Sequence, residues 1–155
     1  MDPRLVGAVY VVYFVIALSG ETLHNAALKL AGTAWYFVLA VSLYVLLRPA
    51  DPGIAWALLP FAALGCVIQG VAIVEKSRVI QLRSIAVFGL YLVVLGYLVA
   101  RSTLLPGQLG IALAVGGIAC SALVIPRLPT AAAIVAFLLA ALSEGALAVS
   151  LFLAP

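Results

Sequence analysis

Six stretches of this chain are so uniformly apolar that they leave little freedom over what it can become: Val6 to Leu28, Thr33 to Leu47, Gly53 to Val74, Ser84 to Ala100, Gln108 to Ile125 and Thr130 to Leu153. Charged or Pro/Gly-containing turns separate them. About 20 helical residues, each rising 1.5 Å, cross ~30 Å of hydrocarbon, and most of the stretches approach that length. Thr33 to Leu47 is short, and Gly32 and Arg48 extend it, with Arg48 snorkelling to the interface. In lipid every backbone N–H and C=O must find its partner within the protein. Continuous apolar runs meet that demand as helices, whereas barrel strands read as short alternating segments. The expected fold is therefore all-α: a polytopic membrane bundle of about six helices, forming one integral membrane domain over residues 1–155. Connections such as PADPG and TLLPGQ are so short that neighbouring helices must be antiparallel and adjacent.

The composition agrees, since 67% of residues are hydrophobic and 8% charged, too little polarity to clothe a soluble domain. The eight basic residues, for a net charge of +3, are scattered among the turns and form no patch suited to nucleic acid. They serve better as a topology signal. Lys29, Lys76, Arg78, Arg83 and Arg127 fall on one side, and Arg4, Arg48 and Arg101 on the other. The larger set is expected to be cytoplasmic, with both termini outside, in a bacterial cytoplasmic membrane. The first run has a single basic residue ahead of it and is too long, and too polar near its end, for a cleavable signal. It reads as a retained span. Cys66 and Cys120 lie in apolar runs far from any CxxC spacing and read as small core residues.

Within this apolar background the heptapeptide SGETLHN, Ser19 to Asn25, stands out. On a continuous helix Glu21, His24 and Asn25 fall at i, i+3 and i+4, on a face that continues through Ala17, Phe14 and Tyr10. Ionisable groups at membrane depth are expensive unless paired, neutralised or wetted, so that face is expected to point into protein or a cavity. Gln69, Tyr91, Ser121, Ser143 and Glu144 interrupt other runs. Counted from the Lys29 side, Glu21 comes out roughly 12 Å deep, Gln69 roughly 9 Å, Tyr91 roughly 12 Å and Glu144 roughly 21 Å. A cavity opening toward that side, with Glu144 at its deeper end, is the simplest geometry holding them all.

A carboxyl and an imidazole one turn apart, with a second carboxyl deeper in, can give a proton at one carbon and take one at another. Glu21 is the expected general acid, His24 its tuner or relay, and Glu144 the base or cation stabiliser. Asn25, Gln69, Tyr91, Trp35 and Tyr13 are expected to bind substrate. Trp35 and Tyr36, at the start of the second run, otherwise belong to the interfacial aromatic belt, and an inward Trp35 can stabilise a cation. The structural alternative for Glu21 and His24 is a hydrogen-bonded pair that fixes helix packing. Glu21 and His24 form a single ExxH; di-iron sites need two with further carboxylates, and one histidine in the chain is too few for zinc or haem. No phosphate-cradling loop or GxSxG is present, so no metal or cofactor is expected.

These readings point to an intramembrane acid/base enzyme for a lipophilic, terpenoid or sterol-like molecule, an isomerase or cyclase in type. A small proton-coupled transporter or channel, or a structural subunit, are the alternatives. The expected partners are a lipophilic small molecule, membrane lipids and, through the small-residue faces of GIALAVGGIACSA and AAAIVAFLLAALSEGALA, a second copy of the chain. Nucleic acid is not expected.

An internal echo pairs LYVLLRPADPGIAWAL with GYLVARSTLLPGQLGIAL: a Tyr four residues before an Arg, a Pro-Gly turn, then a helix rich in small residues. Either a parallel duplication of hairpins or two similar interfacial anchors accounts for it. Around these segments the chain resembles the bacterial multi-pass membrane family catalogued as domain of unknown function 4386. The matching pieces are LAVSLYVLLRPADPGIA, VFGLYLVVLGYLVARSTLLPGQLGIAL and SEGALAVSLFL, and Glu144 falls on the family's late Glu. Tyr91 stands where a His is common, and Trp35-Tyr36 near an acidic position. The resemblance implies a compact helical bundle and carries no reaction with it.

Overall fold

The computed structural model describes residues 1–125 and 130–154. Its helices are α1 (Pro3–Thr22), α2 (Ala26–Leu47), α3 (Pro52–Ala55), α4 (Leu58–Glu75), α5 (Arg78–Arg101), α6 (Gly107–Ser121) and α7 (Thr130–Leu153), with a 3₁₀ turn at Ala122–Val124 closing α6. Taking α3 with α4 and the 3₁₀ turn with α6, six helices are long and apolar enough to cross a membrane. Large apolar side chains such as Leu18, Val67, Ile118 and Leu142 cover the outer surface. That surface suits lipid and not water, so the chain is an integral membrane protein with all-α, polytopic architecture.

The first turn differs from expectation. The run expected to continue to Leu28 stops at Thr22, and the next helix begins at Ala26 rather than Thr33. Neither glycine nor proline marks the break. Instead His24 takes a left-handed conformation, φ 47°, and the N–H of Asn25 reaches back to the Gly20 carbonyl at 3.1 Å, ending α1. The Asn25 side chain then accepts from the N–H groups of Ala27, at 2.9 Å, and Leu28, at 3.2 Å, and starts α2. The second span is thus 22 residues long and needs no extension.

Each spanning helix packs on the next, α1 on α2, α2 on α4, α4 on α5, α5 on α6 and α6 on α7, and α7 returns to α1. The bundle is a closed ring. Its tightest seam lies between α5 and α6, where Gly89 faces Gly117 and Gly96 faces Gly110. A Cβ added at Gly89 would lie 2.5 Å from the Gly117 carbonyl oxygen, and one at Gly96 2.5 Å from that of Gly110. Because the two glycines on each helix are seven residues apart, about two turns, both pairs fall on one antiparallel seam. Gly116 meets Ala140 and Ser143 of α7, so the Gly116-Gly117 pair serves both neighbours of α6. The small-residue faces considered for oligomer contacts are, at these positions, occupied by helices of the same chain.

At the membrane end bearing Arg48 and Arg101, the two echoed turns lie side by side. Leu46, Leu47, Pro49 and Ala50 from one, and Arg101, Ser102, Thr103 and Leu104 from the other, line a half-open cavity of about 260 Å³. Their tyrosines diverge: Tyr44 rests on Trp56, centroids 5.6 Å apart, while Tyr97 is exposed.

Gly89→Ala is expected to force α5 and α6 apart and to cost on the order of 1–3 kcal/mol, read as a lowered thermal midpoint of the detergent-solubilised protein. Gly145→Ala is the control: nothing lies within 4 Å of its added Cβ, and its midpoint should hold or rise.

Candidate functional site

The early start of α2 relocates the aromatic residues. Tyr36 lies ten residues beyond Ala26, roughly 15 Å along the axis, which puts it at mid-span instead of in an interfacial belt. Tyr13 and Tyr10 lie roughly 14 and 18 Å from the Thr22 end of α1, on one helical face with Phe14. Because α5 starts at Arg78 rather than Ser84, Tyr91 is roughly 20 Å in, deeper than expected, and Glu144 is roughly 21 Å from the Thr130 end of α7. All five therefore meet near the bilayer midplane.

The Tyr36 hydroxyl donates to Glu144 Oε1 at 3.2 Å, joining α2 to α7 across the ring. Around this bond the aromatic rings pack edge to face: Tyr13 against Tyr36 at 5.0 Å, Tyr36 against Phe88 at 4.9 Å and against Tyr91 at 5.6 Å between centroids. Tyr10 stacks on Phe14 at 5.6 Å. Each such pair contributes about 0.5–1.5 kcal/mol beyond burial, so the cluster fixes helix positions as well as a polar site. Tyr91 and Tyr13 touch Tyr36 directly and Tyr10 joins through Tyr13, at 6.5 Å between centroids, so the four phenols form one chain of contacts that ends on the Glu144 carboxyl.

Two of those phenols carry an unusual burden. Tyr10 and Tyr91 are fully buried, and among the described residues neither hydroxyl has a hydrogen-bond partner. A buried polar group left unsatisfied costs about 1–3 kcal/mol. Glu144 itself is half-buried, between inward Ser143 and Leu147 and outward Ala141 and Leu142, and its neighbour Gly145 borders open space. It stands at the rim of the buried face of α7.

The structure separates the expected site residues into two groups. Glu144, Tyr91 and Tyr13 meet at the centre. Glu21, His24 and Asn25 do not join them and are exposed at the α1–α2 turn, because the helix that would have carried them inward ends at Thr22. Glu21, 61% exposed, pairs with Lys29 at 2.8 Å; His24 terminates α1 and Asn25 caps α2. The contacts these three make are local to the turn. Gln69 also lies apart: its Oε1 accepts from the Ser84 hydroxyl, binding α4 to α5 near the Lys29 side. Trp35 points to α1, where its Nε1 donates to the Val9 carbonyl at 3.1 Å, and so offers no inward face to a cation. The Cys66 thiol donates to the Thr33 carbonyl at 3.2 Å. Arg127, counted among the basic residues of the Lys29 side, lies outside the described residues.

Tyr36 and Tyr10 are the members of the centre not named in advance as ligand-binding groups. The signal for Tyr36 was present in Asn25, a strong N-cap residue directly ahead of an apolar run. Starting the second helix there carries Tyr36 to mid-span.

The ring and its carboxyl–phenol centre define a polytopic membrane protein with a polar site at the midplane. Comparison with protein-family models, curated proteins and solved structures finds no match to this chain.

Removing the cap and removing the surface ion pair should separate cleanly. Asn25→Ala is expected to cost about 1 kcal/mol and to lower the thermal midpoint, whereas Glu21→Gln should move it by no more than a few tenths of a kcal/mol, as exposed pairs do.

Proposed function

We propose that this chain is an intramembrane acid/base enzyme, isomerase- or cyclase-like, acting on a lipophilic molecule of terpenoid or sterol-like type in a bacterial cytoplasmic membrane. Glu144 exchanges the proton, and Tyr36, hydrogen-bonded to it, orients the carboxyl and shares the proton. The observation that carries this reading is the Tyr36–Glu144 bond near the midplane, among phenols and aromatic rings. A carboxyl kept among protein dipoles and away from bulk water is suited to proton transfer at carbon, and general acid–base catalysis of this kind contributes about 10²–10⁴-fold. The division of labour differs from a two-carboxylate scheme, since Glu21 sits at the surface and the phenols stand in its place.

A second reading, proton-coupled transport, is favoured by one observation: with Glu21, His24 and Gln69 removed from the site, the remaining polar groups no longer crowd one half of the bilayer but lie near its middle. Transporter sites commonly lie at that depth.

In reconstituted protein, turnover of polyprenyl and sterol-like alkenes should fall at least 100-fold in Glu144→Gln, less steeply in Tyr36→Phe, and not at all in Glu21→Gln. Full turnover in Glu144→Gln overturns the assignment. Uptake into liposomes driven by a pH gradient and lost in Glu144→Gln, without chemical change of the solute, would establish transport instead.

A further inference from the structure

The acid/base reading leaves the Tyr10 and Tyr91 hydroxyls without a task. Both are fully buried, on α1 and α5, and neither bonds to Glu144, to Tyr36 or to any other group among the described residues. The Tyr36 proton is committed to Glu144. Tyr91 nevertheless packs edge to face on Tyr36 at 5.6 Å between centroids, and Tyr10 reaches Tyr36 through Tyr13, whose ring lies 6.5 Å from Tyr10 and 5.0 Å from Tyr36, so both phenols belong to the ring cluster that holds the carboxyl. Two unpartnered O–H donors in the same aromatic cluster as a carboxyl base match one chemical feature well. A carbonyl oxygen has two lone pairs and accepts two such donors, and it sits next to carbons whose protons a carboxylate can remove.

We infer that Tyr10 and Tyr91 bind the carbonyl oxygen of a lipophilic ketone or enone, so that the reaction at Glu144 is a proton shift between carbons conjugated to that carbonyl. This rests on the acid/base reading of the same site and narrows it to one substrate class. In the first step the Glu144 carboxylate takes a proton from the carbon next to the carbonyl. The C–H electron pair becomes a C=C bond, and the carbonyl π pair moves onto oxygen. The resulting enolate oxygen is held by the two phenol O–H groups, donors already in place in surroundings that exclude water, where such bonds are strongest. In the second step the Glu144 carboxylic acid returns the proton to the carbon at the far end of the conjugated system, and the carbonyl reforms. The net change moves a C=C bond into conjugation, with no electron gained or lost and the carboxylate regenerated. Tyr10 and Tyr91 touch the reacting oxygen and are catalytic residues in this scheme. Tyr36, acting through Glu144, is a positioning residue.

The test uses the full chain in lipid nanodiscs with three probes. A β,γ-unsaturated cyclohexenone bearing an alkyl chain reports turnover by the rising absorbance of the conjugated product. An alkylated diene of similar size lacks the carbonyl. An alkylated naphthol mimics the enolate and reports binding by its fluorescence. Tyr10→Phe and Tyr91→Phe should fold as the native chain does, because each deletes a hydroxyl that makes no bond within the described protein. Each is expected to lower kcat for the enone roughly 10- to 100-fold with little change in KM, and the double variant to weaken naphthol binding at least tenfold. If the diene is isomerised in a Glu144-dependent way while both Phe variants keep full activity on every substrate, the carbonyl assignment is overturned and the broader acid/base reading stands. If neither enone nor diene is turned over and the naphthol binds the native chain and the double variant equally, both fall.

Discussion

A carboxyl group halfway across a membrane has to be held by something, and here it is held by a phenol from the opposite side of the ring. The Tyr36–Glu144 bond joins α2 to α7, two helices that are not neighbours in the closed order of packing. Water at that depth cannot repay the cost of a bare carboxyl, and no basic residue lies in the middle of a span to form an ion pair. The helices must therefore stand so that Tyr36 reaches Glu144. The edge-to-face contacts of Tyr36 with Tyr13, Phe88 and Tyr91 fix its ring in the orientation this requires.

Where the ring is thick and where it is thin follows from side-chain size. Along the α5–α6 seam paired glycines bring backbones into contact, and along α6–α7 Gly116 meets Ala140. On the other flank, α1 and α2 send tyrosines and phenylalanine inward, and α4 gives way through Gly65, whose missing Cβ makes room for the Phe88 ring of α5. Without a hydrophobic force between helices in lipid, such differences in packing decide which helices draw close. Close approach on one side and aromatic bulk on the other place the polar centre among α1, α2, α5 and α7. Glu144 lies at the edge of that group rather than beneath it.

The surface turn shows how a polar segment misleads. Ser19 to Asn25 resembles a buried constellation because Glu21 and the asparagine fall on the face of Tyr10 and Phe14, and that facial argument holds as far as Thr22. What fails is depth. His24 can occupy the left-handed region at modest cost, and Asn25 can cap, so the chain turns without the glycine or proline that usually announces a turn. A shift of about seven residues in where the second helix begins moves Tyr36 from the interface to the midplane, and the turn residues from the interior to the surface.

Fold class, span number and the antiparallel order were legible in the sequence, because bilayer thickness and the need to satisfy every backbone group act on each stretch separately. The identity of the centre was not. Whether Glu144 meets Glu21 or Tyr36, whether Trp35 faces in or toward α1, and whether Gln69 binds a ligand or Ser84 depend on how six nearly uniform apolar helices rotate about their axes. With lipid outside as apolar as the core inside, no hydrophobic face dictates that rotation. Glycine contacts and aromatic rings from distant parts of the chain set it, and these act only once the helices have come together.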